Sequence, residues 1–226
     1  MTALILQGRI DSTRLPGKSL LPIGGEPLIF RVMEALKTVP GDIRILACPD
    51  DCVLSFSPLA EKIGFKLCTG PKEDVLARYC TAIRRYSPDW VIRATGDNPF
   101  IFADAAETLT EETIFLDADY GSYTGLPLGA GVELIRAEAL IRADREATKP
   151  EEREHVTPYL YNHADLFRLH RPLAPRKWQA SLAPKLRLTI DTPEDYEYAQ
   201  KLYRQLNEKA AVKTRYLGTT IIGAGL

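Results

Sequence analysis

Apolar and polar positions change period repeatedly along the first half of the chain, and each change marks an element. Leu4 to Gln7 is a short apolar run and predicts a buried strand. Pro27 to Lys37 predicts a helix: Leu28, Val32, Ala35 and Leu36 share a face, and Pro27 suits the first turn. A strand over Ile43 to Ala47 comes next, followed by a short helix over Pro58 to Ile63 that Gly64 can end. Lys66 to Cys68 reads as a short strand. Glu73 to Tyr86 reads as a helix with Val75, Leu76, Tyr79, Ala82 and Ile83 as its apolar stripe. Trp90 to Thr95 predicts a strand stopped by Gly96-Asp97-Asn98-Pro99, and Ala103 to Glu112 a helix.

Strand and helix in alternation imply an α/β fold, with a mostly parallel sheet covered by helices on both faces. Ligands of such sheets bind outside the carboxyl ends of the strands, so chemistry is expected just after Gln7, Thr95 and any later strand. The second half is less regular. Asp119 to Tyr123, Val132 to Ile135, Phe167 to His170 and Leu186 to Ile190 read as strands. Glu138 to Arg145, Glu152 to Tyr161 and Pro193 to Glu208 read as helices. The Gly- and Thr-rich tail, Arg215 to Leu226, fits an added strand, a partner contact or a frayed end.

Composition narrows the function classes. The 226 residues, 45% hydrophobic and 26% charged, predict one large domain, or one with a small appendage, able to bury its own core. A net charge of −1 shows no basic excess for nucleic acid, and no apolar run approaches a membrane helix. The apolar stretch Ala3 to Leu6 is too short for a signal peptide, so a cytoplasmic protein is expected. Cys48, Cys52, Cys68 and Cys80 lack zinc spacing and read as reduced core thiols.

Candidate chemistry sits where the sheet argument places it. Gly8-Arg9-Ile10-Asp11-Ser12-Thr13-Arg14-Leu15-Pro16-Gly17-Lys18 follows the first strand and sets Arg9, Arg14 and Lys18 among small residues. Fixed cations and close backbone N–H groups are what a nucleoside triphosphate needs; a solvated basic loop is the bland alternative. Ser12 to Ser19 nearly spells a P-loop. However, its strand ends four residues too early, Pro16 removes a donor, and Pro22, Gly24 and Gly25 break the helix that should follow. Asp97 and Asp191 each follow a predicted strand. Thr192-Pro193-Glu194-Asp195 already explains the next helix start, which leaves Asp191 free. Two aspartates beside a cationic loop suit Mg²⁺ with substrate phosphates, the alternative for each being a turn-stabilising role.

Arg9 and Ser12 to Lys18 resemble the signature loop of the sugar cytidylyltransferases, which include the CMP-KDO and CMP-acylneuraminate synthetases. Glu73 to Tyr79, Thr95 to Pro99, Glu151 to Tyr159 and Leu188 to Asp195 resemble the spore-coat polysaccharide biosynthesis protein F branch. The resemblance spans residues 3 to about 205 and implies a Rossmann-like, GT-A-type nucleotidyltransferase fold. It implies one domain over 1–210, with an irregular α+β acceptor and dimer portion near 115–185, and a tail over 211–226. The implied reaction transfers CMP from CTP to a sugar, an acidic one for a surface polysaccharide or glycan, and releases pyrophosphate. By position, Arg9, Arg14 and Lys18 would hold the triphosphate, with Arg9, Lys18 and Asp97 catalytic, and Asp97 and Asp191 would hold Mg²⁺. Gln7, Gly8, Asp74 and Arg78 would lie near the nucleotide, the base being read by backbone groups near Gln7 and Gly8. Glu133, Glu154 and His155 would face the acceptor, and a homodimer is implied.

The sequence departs from the branch at Gly131, which stands where an acid is usual, with Glu133 two residues on. That keeps a non-catalytic nucleotide-binding homologue open; a second rival is a nucleotide-sugar glycosyltransferase, for which Asp117-Ala118-Asp119 has the metal-binding spacing but does not clearly follow a strand. Asp74 could equally serve a helix start and Arg78 pair with it at i, i+4.

Overall fold

The computed structural model describes residues 1–184, 186–209 and 216–225. Strand β1 (Thr2–Gln7) is its centre. Leu4 and Leu6 enter one core and Ala3 and Ile5 another, on the opposite face of the sheet. Burial on both faces is why this strand is apolar without alternation.

A short hairpin, β2 (Pro22–Ile23) and β3 (Glu26–Pro27), leads to helix α1 (Leu28–Leu36). Then come β4 (Ile43–Pro49), α2 (Val53–Ile63), β5 (Lys66–Gly70), α3 (Val75–Tyr86), β6 (Trp90–Thr95) and α4 (Ala103–Phe115). The second half adds β7 (Tyr120–Gly121), β8 (Glu133–Arg136), α5 (Ala137–Glu146), α6 (Pro150–His155), α7 (Pro158–Asn162) and β9 (Leu169–His170). The chain continues to α8 (Pro193–Lys209) and α9 (Gly218–Gly225).

Among the described residues the main sheet has seven strands in the order β5-β4-β1-β6-β8-β7-β9. Strands β5, β4, β1 and β6 run parallel, β8 is antiparallel to β6 and β7, and β9 is parallel to β7. This is the expected α/β architecture. Helices α1, α2, α8 and α9 cover one face, and α3, α5 and α7 the other. The order reverses at β1: the chain builds outward to β5, then returns to β6 on β1's other side. The crevice beyond Gln7 and its neighbour Thr95 is therefore the switch point of the sheet.

Several boundaries differ from the expectations. Helix α2 starts at Val53 rather than Pro58, because the acidic turn Asp50–Cys52 feeds the helix and the proline is accommodated inside it. Helix α3 starts two residues late, capped by Asp74. The helix expected over Glu152 to Tyr161 is two: Val156 has φ 74°, and Pro158 opens the second. Strands β7 and β9 are only two residues each. Leu186 to Ile190 joins no sheet: Leu188 N–H donates to Leu128 O (2.8 Å) and Ile190 N–H to Asp97 O (3.0 Å). The expected tail strand or frayed end is instead helix α9, with Ile221 and Ile222 buried. Residues 210–215 and 226, which include part of that tail, lie outside the described residues.

Candidate nucleotide-binding site

The loops after β1 and β6 meet back to back at the switch point. A Cβ on Gly96 would stand 2.9 Å from Gln7 O, and one on Gly8 would stand 3.1 Å from Ile29 and 3.2 Å from Phe56. Glycine at both positions lets the chains approach and leaves a cleft of about 310 Å³ above them.

Cations enter from the first loop and carboxylates from the opposite side. Lys18 Nζ lies 3.1 Å from Asp97, 3.0 Å from Asp191 and 2.8 Å from Ile190 O. Arg14 donates to Asp191 at 2.9 Å. Asp97 takes its second bond from Thr95 Oγ1 (2.8 Å), which Asn98 Nδ2 holds in turn. The Asp97 oxygens are thus given to Thr95 and Lys18, not to a turn of its own backbone. Asp191 accepts from Arg187 as well (3.0 Å), and Arg187 is itself held by Asp195. Burial pushes the Asp191 carboxyl up, but the hydrogen bond from Lys18 and the charges of Lys18, Arg14 and Arg187 outweigh it and hold the group below its ordinary range. The expected cap is formed: Asp195 N–H donates to Thr192 Oγ1, and Asp195 Oδ2 accepts from Thr192 N–H and Asp191 N–H.

The inner wall is buried. Arg93 pairs with Glu133, which also accepts from Tyr120 and from Thr157 Oγ1 (2.9 Å). Burial opposes the Arg93 charge, yet the charge and hydrogen bond of Glu133 outweigh it and raise its pKa. Arg78 is 1% exposed, donates to Pro71 O at 3.0 Å, and is pulled downward in pKa by burial. Val156 forms the rare γ-turn between α6 and α7, with Thr157 N–H donating to His155 O at 2.9 Å. A β-branched residue at positive φ is strained, and such strain clusters at functional sites. Buried atoms without a partner include Gln7 Oε1, Arg78 Nε and Arg93 Nε.

The cleft brings together ten of the residues expected from sequence: Gln7, Gly8, Arg9, Arg14, Lys18, Arg78, Asp97, Glu154, His155 and Asp191. Arg9 and Glu154 face one another at 3.6 Å. Asp74 and Glu133 do not line it. Asp74 caps α3 through Ala77 N–H (2.9 Å) and accepts from Arg153 (2.6 Å); it forms no ion pair with Arg78 among the described residues. Asp117 and Asp119 are tied to Arg136 and Arg168 away from the cleft, so their spacing serves a clamp between β7, β8 and β9. Lys18 begins only a three-residue turn, Lys18–Leu20, not the long helix of a P-loop. All four cysteines are buried, and burial pushes the Cys48 thiol up to about 12 and Cys52 to about 11, leaving no thiolate at neutral pH. Sequence reading missed Arg93 and Arg187. Arg93 carried a signal, being a charge inside the apolar strand Trp90–Thr95.

A family model described as "Cytidylyltransferase" matches residues 3–216. The spore coat polysaccharide biosynthesis protein SpsF of Bacillus subtilis (strain 168) is 35% identical over 226 residues, covering 96% of this chain and 92% of that protein. The structure of a cytidylyltransferase from Leptospira borgpetersenii serovar Hardjo-bovis (strain JB197) matches with a TM-score of 0.86 at 25% identity, over 98% of this chain and 92% of that one. The structure of CMP:2-keto-3-deoxy-manno-octonic acid synthetase complexed with CTP shares the fold: its TM-score is 0.68 at 19% identity, over 90% and 98% of the two chains.

Proposed function

The chain belongs to the cytidylyltransferase family and is a nucleotidyltransferase; from that premise we propose that it transfers CMP from CTP to a hydroxyl of an acidic sugar, with Mg²⁺ and release of pyrophosphate, in surface polysaccharide or glycan synthesis. The observation that carries this reading is the meeting of Arg9, Arg14 and Lys18 with Asp97 and Asp191 at the switch point. The CTP complex of the related synthetase and the name of the SpsF relative support the nucleotide and the pathway class.

Asp97 and Asp191 already converge on one cation, the Lys18 ammonium. No group of three or more His, Cys, Asp or Glu among the described residues could hold a metal. Two carboxylates completed by substrate phosphates are a donor set Mg²⁺ accepts, so the residues fit the ion. Bound there, Mg²⁺ supplies Lewis-acid polarisation of the α-phosphate. Lys18 and Arg14 exchange their carboxylate partners for phosphate oxygens and neutralise the charge gathering on the leaving pyrophosphate. Arg9 sits by the α- or β-phosphate. Backbone groups of Gln7 and Gly8, with Arg78, bind the nucleoside, and Asp74 acts by capping the helix that carries Arg78. Glu154 and His155 face the acceptor. The main contribution of the chain is holding the hydroxyl in line with the α-phosphorus.

The enzyme works as a homodimer in the cytoplasm. Phe115, Leu116 and Leu173 are exposed beside edge strand β9, an apolar surface suited to a second copy. No helix among the described residues is long and apolar enough to cross a membrane.

Pyrophosphate release tests the reaction. With CTP, Mg²⁺ and either 3-deoxy-manno-octulosonate or N-acetylneuraminate, release should depend on all three components. Transfer from a preformed nucleotide sugar, with no release from CTP, would overturn the reading in favour of a glycosyltransferase.

A further inference from the structure

Arg93 is placed where the phosphate chemistry does not need it. The loop after β1 supplies Arg9, Arg14 and Lys18 for the nucleotide, whereas Arg93 rises from the middle of β6 into the inner wall of the same cleft. Its neighbours Val91, Ile92 and Ala94 are buried and apolar, so a charge here requires a reason. One guanidinium nitrogen, Nη1, pairs with Glu133. Both Glu133 oxygens are in use: Oε2 by Arg93, Oε1 by the Tyr120 hydroxyl and by Thr157 Oγ1. Arg93 Nε is buried and has no partner. The guanidinium thus lines the cleft with part of its donor set unclaimed by the protein.

We propose that Arg93 reads the carboxylate of the acceptor sugar, with Glu133, Tyr120 and Thr157 as its positioning residues. The inference rests on the cytidylyltransferase reading and assigns the acid specificity of that reaction to one residue. A guanidinium is planar, always charged and forked, which matches a carboxylate better than a hydroxyl. Thr157 links the arrangement to the acceptor side: the strained turn at Val156 carries His155 to the cleft and Thr157 to Glu133. Glu133 fixes the guanidinium without reaching the cleft itself, so an acid at this position serves the acceptor indirectly.

The test uses the full chain with Arg93→Lys and Arg93→Gln. Lysine keeps a charge for Glu133 but loses the fork, so it reports even if the glutamine variant folds poorly. CTP affinity is measured with Mg²⁺ by calorimetry, without acceptor. Steady-state KM and kcat are measured by pyrophosphate release with 3-deoxy-manno-octulosonate and N-acetylneuraminate. Their C1 alcohols, mannose and glucose 1-phosphate are the comparators. The wild type should favour the acids over the alcohols by about 100-fold or more in kcat/KM, and either variant should abolish that preference while CTP affinity changes less than about two-fold. Variants that bind CTP and keep the preference overturn the inference, as does a wild type that favours mannose or the sugar phosphate. CTP binding with no turnover of either acid also overturns it and leaves the nucleotide reading standing. Absence of CTP binding by the wild type removes both.

Discussion

The two walls of the cleft carry similar charges in different ways. On the loop side, Arg9 and Arg14 are 47% and 66% exposed in their side chains and rest on Glu154 and Asp191, while the half-buried Lys18 bridges Asp97 and Asp191 beneath them. On the inner side, Arg93 is 13% exposed, and its partner Glu133 is saturated by a tyrosine and a threonine. Exposed pairs are worth little and exchange partners cheaply; a buried pair is costly to break once formed. The two loop arginines are therefore suited to exchanging their carboxylates for a highly charged ligand, and the inner side to holding one geometry throughout.

Substitutions can break this contrast. The largest effect is expected for Asp97→Asn, which should lower turnover by about 10²–10³-fold while Tm changes little, because the proposed role of Asp97 is to hold the Mg²⁺ that meets the substrate phosphates, and the side chain supports no core. Near-normal turnover in steady-state assays would remove Asp97 from the chemistry. Glu133→Ala should act the opposite way. Leaving Arg93 buried without its anion should cost roughly 3 kcal/mol or more, a Tm drop of roughly 6–12 °C, with CTP affinity retained. A small Tm change in calorimetry would mean that the inner wall is not preorganised by that pair.

How far the sequence foretold these walls depended on whether the signal was local. Leu4 to Gln7 and Trp90 to Thr95 were legible because burial on both faces leaves apolar runs, and the loop cations because they cluster in sequence. The helix break near Val156 was signalled only by Pro158, inside the expected helix; the strained turn itself leaves no pattern. Asp191 reaches the site as expected but for a different reason: Leu186 to Ile190 is no strand, and hydrogen bonds from Leu188 and Ile190 to Leu128 and Asp97 carry it there. Arg93 and Glu133 are forty residues apart and meet only through the antiparallel pairing of β6 with β8.

Smaller effects sharpen the comparison. Asp74→Ala should cost about 1 kcal/mol through the lost cap, or roughly 2–4 °C in Tm, and leave CTP affinity intact. Weaker CTP binding would bring Asp74 into the nucleotide site. The lowered Asp191 pKa adds stability that is fully present above its unfolded value of about 4 and is lost as pH falls through its lower folded value. The stability difference between wild type and Asp191→Asn, measured by urea unfolding, should therefore be constant at neutral pH and shrink below about pH 4. A difference unchanged into that range would mean that the loop cations do not hold the carboxylate.

The most direct test of the central claim is the thermal shift produced by CTP, UTP, ATP and GTP, each with and without Mg²⁺, in the wild type and in Lys18→Ala. A ligand at 100 times its dissociation constant adds about 2.7 kcal/mol, roughly 5–10 °C for a chain of this size. A Mg²⁺-dependent shift of that order is expected with CTP, with smaller shifts for the other three and loss of the CTP shift in Lys18→Ala. No shift with any triphosphate, or an equal CTP shift in Lys18→Ala, would contradict the claim.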